Sequence, residues 1–227
     1  MSRRHFFARN GWCSAFGLAL VLALSVGAGG AQAGIFRDVL DKIMPKPAAP
    51  AAGPNGIPEF PRQGFACCNL HYDGDWISDS NHAELPLLAA GTPVTVMGYG
   101  RHRANIDVQG KPMRLGHDDG RDQETLDAWV NKIIINDDPR PRIATYPATI
   151  QAAIHAGKVM RGMTREQAIA AVGYPPTNAT KSLDDQVWKM WNARHAEYQL
   201  IFGADGRISS ITGDGEVSSQ VIYLPRP

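Results

Sequence analysis

Cys67 and Cys68 form an adjacent thiol pair in a chain of 227 residues, with His71 three positions on and His82 beyond. Such a pair has four open fates. The sulfurs can bond to each other, although ordinary disulfides join Cα atoms farther apart than chain neighbours usually sit. They can stay as buried thiols or pair between molecules. With His71 and His82 they offer sulfur and nitrogen ligands, but the spacing is not the C-x2-C of a zinc site. A thiolate with His82 or His117 as its base would make a nucleophile. Neither cysteine opens an evident helix, where thiolates are commonly activated. The run His117-Asp118-Asp119-Gly120-Arg121-Asp122 carries oxygen ligands of the kind calcium takes, yet lacks the regular alternation and late Glu of a calcium loop. A turn leading into a capped helix accounts for it, and turn chemistry accounts for Asp137-Asp138 before Pro139. We expect no catalytic residues, no metal site, no cofactor and no enzyme activity.

Rings are the other conspicuous chemistry. Trp188, Trp191, Tyr198 and Tyr174 concentrate large aromatic side chains in the second half. Trp188 and Trp191 are three apart, so on a flat strand they face opposite sides. One belongs to the core, and the other is a candidate anchor for a partner. These four residues are the candidate binding set.

The first 33 residues read as an export signal. Arg3, Arg4 and Arg9 make a positive start, Ala15 to Val26 is an apolar core too short for an ordinary span, and Ala31-Gln32-Ala33 is a cleavage site. Cleavage near Ala33 removes three arginines and no acid, taking the formal net charge from +1 to −2. A near-neutral chain has no broad electrostatic reason to bind nucleic acid. Gly34, not Cys, would open the mature chain, so no acyl anchor and no membrane span are expected after cleavage. The expected location is periplasmic or secreted, in a bacterium.

These residues need elements to position them. Residues 34–60 read as a short helix and a Pro/Ala-rich linker, Pro45 to Pro54 excluding helix and central strand. Residues 61–140 read mostly as β. Thr92–Met97, Ala104–Val108 and Met113–Leu115 are strands, with turns at Gly98-Tyr99-Gly100 and Gln109-Gly110-Lys111. A helix over 123–131, capped by Asp122 with Leu126, Trp129 and Val130 on its apolar face, precedes a strand Ile133–Ile135. Residues 141–146 read as a connector. From 141 to 227 the pattern changes. A helix spans Ala148–Ala156 between Pro147 and Gly157. A second follows Thr164, whose capping box closes on Gln167 and whose stop is Gly173 with Pro175. Strands Val187–Trp191, Glu197–Phe202 and Ile208–Thr212 form a meander, with the Asp205-Gly206 hairpin turn between the last two. Tyr198, Leu200 and Phe202 share a face. A last strand is expected over Val217–Leu224.

Gly162-Met163-Thr164, Gly173, Pro175, Trp188 and Phe202…Asp205-Gly206…Ile208 resemble the SmpA/OmlA (BamE-like) domain family over roughly residues 147–212. Ala168, and Met190 and Trp191 after Trp188, depart from its pattern, and the lipid-bearing Cys is missing. The stretch from Ala90-Gly91-Thr92-Pro93-Val94 through Leu115 is similar to bacterial SH3-like modules, which bind peptides or cell-wall material. The resemblances imply an α+β chain: a small SH3-like β-barrel module followed by two helices on an antiparallel sheet. They imply a cell-envelope protein that binds or scaffolds an envelope protein or a peptidoglycan component, in outer-membrane or envelope assembly. A secreted inhibitor of an envelope enzyme, or a Cys-dependent cell-wall hydrolase, is the alternative.

Overall fold

The computed structural model describes residues 59–225, all within one compact unit. The expected signal and almost all of the expected helix-and-linker segment lie outside these residues. The fold is α+β, as expected.

The first half builds a six-stranded sheet. Its strands are β1 (Arg62–Ala66), β3 (Trp76–Ser78), β5 (Pro93–Tyr99), β6 (Arg103–Val108), β7 (Lys111–Gly116) and β8 (Ile134–Ile135), in the order β3-β7-β6-β5-β1-β8. All neighbours are antiparallel except β3 and β7. A two-stranded ribbon, β2 (Leu70–His71) with β4 (Leu87–Leu88), stands beside it. Val94, Val96, Ala104, Ile106, Met113 and Leu115 alternate into the core, the period that a sheet covered on one face requires. Gln109 and Gly110 both have positive φ, 56° and 87°, and Asp107 Oδ1 accepts from the Gly110 amide at 2.8 Å. That is the two-residue hairpin geometry whose twist suits paired strands. The other expected turn starts later, because β5 runs through Gly98 and Tyr99. The short strands β1 to β4 carried no alternation long enough to read.

Helix α1 (Leu126–Ile133) starts after the expected position, and Thr125, not Asp122, is its first boundary residue. The cause lies upstream, where the carbonyl of Gly120 accepts from the Gln123 and Glu124 amides and holds the chain in a turn. Ile133 therefore closes α1, and the strand shrinks to Ile134–Ile135. The expected connector contains a one-turn helix, α2 (Arg140–Ile143), entered through Pro139.

In the second half α3 (Ala148–His155) and α4 (Arg165–Val172) accompany the sheet β11-β10-β9, made of β9 (Val187–Ala193), β10 (Ala196–Phe202) and β11 (Ile208–Thr212). The capping box forms in both directions: Thr164 Oγ1 accepts from the Gln167 amide at 3.3 Å, and the Thr164 amide donates to Gln167 Oε1 at 3.0 Å. Gly173 ends α4 with φ 79°. The expected last strand is instead helix α5 (Gly215–Val221). Asp214 caps it by accepting from the Val217 amide at 2.9 Å, and Val217 and Val221, one turn apart, are both buried. That cap outweighs the β-propensity of the valines.

The two halves share one core. Polar bonds cross between them: the Asn69 amide donates to Ala170 O at 3.1 Å, and the Ala83 amide to Trp191 O at 3.3 Å.

Candidate functional site

The three-stranded sheet has two unlike faces. Trp188, Met190, Asn192, Tyr198, Leu200 and Phe202 point inward and are buried. Trp188 and Phe202 pack with ring centroids 4.7 Å apart and their planes tilted by 59°, and Trp188 Nε1 donates to Leu183 O at 3.2 Å. Asn192 Nδ2 donates to Gln220 Oε1 on α5 at 2.6 Å, so α5 covers this inner face. Burial holds the Tyr198 phenol above its usual pKa, because the ionised form would lose its hydration. The outer face follows from the register, which sets Trp191 opposite Glu197, Lys189 opposite Gln199 and Val187 opposite Ile201. Every one of these six side chains is half-buried or exposed, Val187 at 38%.

The four candidate rings are thus divided. Trp188 and Tyr198 are core residues, and no partner can reach them. Tyr174, after α4, is packed against the core with the Lys132 ammonium 5.1 Å from its ring centre, and burial raises its pKa. Trp191 alone stands on the open face, as the three-residue spacing from Trp188 requires.

Cys67 and Cys68 are joined by a disulfide, so both thiols are consumed and neither is a nucleophile or a ligand in this state. They sit where β1 leaves the sheet, with Cys68 fully buried. The next residue, Asn69, is the junction between the halves. Its Nδ2 donates to Ile154 O at 2.6 Å and to Ala171 O at 2.9 Å, while Oδ1 accepts from the Ala90 amide at 2.9 Å. Asn69 thereby satisfies carbonyls near the ends of α3 and α4, which helices leave without intrahelical partners. His71 holds the turn that precedes β4: Nδ1 lies 2.7 Å from Leu85 O, and Nε2 is buried without a partner among the described residues. A carbonyl can only accept, so Nδ1 carries the proton. Burial lowers the His71 pKa.

The acidic run is a turn, organised by a residue outside it. Asp79, buried, accepts the amides of Asp118 and Asp119 at 3.0 Å and of Gly120 at 2.7 Å. His117 Nε2 lies 3.3 Å from Asp79 Oδ2, and the His117 ring stacks on Trp129, their planes 8° apart. Burial lowers the His117 pKa, against the opposing pull of Asp79 and Glu124. Among the described residues no group of three or more His, Cys, Asp or Glu side chains is placed to hold a metal. Asp79 left no mark in the sequence because its partners are 39 to 41 residues away. The Asp79-Ser80-Asn81 run does read as polar, and Asn81 adopts φ 46°, a conformation that asparagine tolerates better than most residues.

Among the described residues no helix is long and apolar enough to cross a membrane. Compared with protein-family models, with curated proteins and with solved structures, the chain matches none.

Proposed function

We propose that this chain is an exported protein of the bacterial cell envelope that acts as a non-enzymatic binding or scaffolding module. The carrying observation is the asymmetry of the three-stranded sheet: its inner face is packed into the core, while Trp191, Ile201 and Val187 remain on the outer one. A half-exposed Trp among aliphatic and charged neighbours is the usual composition of an interface anchor. The arginine-led apolar leader with its A-x-A end supports export. Helices α3 and α4 followed by the β9–β11 meander support an SmpA/OmlA-like second module, and the β5-β6-β7 meander supports an SH3-like first one. The partner is an envelope protein or a peptidoglycan component.

The test is cross-linking of the mature chain in envelope extract, compared with a Trp191→Ser, Ile201→Ser double variant of equal thermal stability. A discrete cross-linked product that the double variant loses supports the reading. Identical products from both proteins overturn the assigned face. Hydrolysis of cell wall by the wild type that disappears on Cys68→Ser overturns the non-enzymatic reading.

A further inference from the structure

A second concavity lies away from the open sheet face and uses none of its residues. Its floor is the turn Ala89–Pro93 between β4 and β5, its walls are α2 and α3, and its volume is about 410 Å³. That is the size of a site for a small organic molecule. Gly91 makes the floor close-fitting: its φ is 79°, and a Cβ there would lie 2.5 Å from Arg140 Cγ. The arginine stem therefore lies directly on the turn.

The polar groups around this cleft are only partly used. Asp138 accepts from Arg140 Nε at 2.8 Å and from Nη2 at 2.6 Å. Among the described residues Nη1 has no partner. Gln151 spends its Nε2 on the carbonyls of Ala144, at 3.1 Å, and Tyr146, at 2.8 Å. Among the described residues its Oε1 accepts no hydrogen bond. His155 ends α3 exposed, and among the described residues neither ring nitrogen has a hydrogen-bond partner. Ile143 and Ile154 supply apolar wall between these groups. Donors on Arg140 and His155, an acceptor on Gln151 and a short apolar surface define a ligand with an anionic end and a small body.

We propose that this cleft binds a small organic carboxylate. Arg140 Nη1 and His155 take the carboxylate, Ile143 and Ile154 take the body, and Gln151 Oε1 accepts an N–H or O–H from it. Asp138 offsets part of the guanidinium charge, so binding is weak, with a Kd of about 1 mM for a ligand of dipeptide size. Peptide C-termini and sugar acids share this chemistry.

The experiment is an amide chemical-shift titration of the mature chain, with the disulfide intact. The probes are N-acetyl-alanyl-alanine and glucuronate, with N-acetyl-alanyl-alaninamide and glucose as uncharged controls. Saturable shifts at Gly91, Ala144 and His155 with either acid, weakened about tenfold by Arg140→Gln, are the expected result. The acid that produces them identifies a peptide or a sugar source. A His155→Leu variant, away from the Asp138 pair, weakens the same titration about threefold. No saturable shift with either acid overturns the proposal. Equal binding of the uncharged controls, or an unchanged Kd in both variants, overturns it as well.

Discussion

The side chain of Asn81 donates to the backbone carbonyl of Asn69 at 3.2 Å and, through the same nitrogen, to the carbonyl of Val172 at 2.8 Å. Asn81 Oδ1 accepts from the His71 amide at 2.7 Å. Two asparagines thus join β2, the loop after β3, and the end of α4, with no charge in the arrangement.

Asn69→Ala removes partners from two buried carbonyls and one amide, each of which costs about 1–3 kcal/mol when left unpaired. We expect a loss of about 3 kcal/mol, read as a lower urea midpoint at unchanged slope. A loss under about 1 kcal/mol would show that water replaces the asparagine readily.

The two tryptophans should separate cleanly. Trp188→Ala opens a cavity in a fully buried position and should cost about 3–5 kcal/mol. Trp191→Ala, on the outer face, should cost about 1 kcal/mol or less. Thermal melts of the two variants check this, and similar losses would mean that the outer face is covered.

Gly173 cannot take a side chain. Its φ is 79°, and a Cβ would lie 2.5 Å from Asn81 Nδ2. Gly173→Ala should therefore both strain the backbone and displace the asparagine, for a loss of about 2–4 kcal/mol. Gly110→Ala has positive φ but open space and should lose only about 1 kcal/mol. Equal losses in chemical denaturation would place the whole cost in the backbone.

Acid should destabilise the fold through His71 and His117. Both have pKa values below 6.5, in each case chiefly because burial disfavours the cation. His82 adds to the lowering at His71; Asp79, Glu124 and Asp118 oppose it at His117, while Lys132 assists. The unfolded chain then takes up a proton more readily than the folded one. Stability from these groups is intact above pH 6.5, falls as pH drops below it, and stops falling once pH passes below the folded values. Ring-proton titrations by NMR check the sign directly: a midpoint above 6.5 for either residue would reverse it.

What could be read from the sequence follows from range. The Thr164–Gln167 box, the Pro147 start and the Gln109-Gly110 turn are set by residues within a few positions, and each stands where it was expected. Trp188 and Trp191 separate because strand geometry alternates every residue. Long-range polar partners were illegible: Asp79 meets its turn about 40 residues on, and Asn69 meets Ala171 at a separation of 102. The helix at Gly215 differs from the expected strand because valines at 217 and 221 suit a strand as well as a buried helical edge, and only the Asp214 cap decides between them.

The position of β1 inside its sheet carries a consequence for the order in which the molecule can assemble. Phe65 and Ala66 pair with Ile135 and Ile134 on one side, and β1 meets β5 on the other. A chain delivered from its N-terminus shows this strand before any of its partners and supplies its last neighbour roughly 70 residues later. Asn69 waits longer still, for Ala170 and Ala171. Closing such distant contacts is slow, so the earliest strand of the described residues is among the last to be completed, and its hydrogen-bonding edge stays open until most of the chain has arrived.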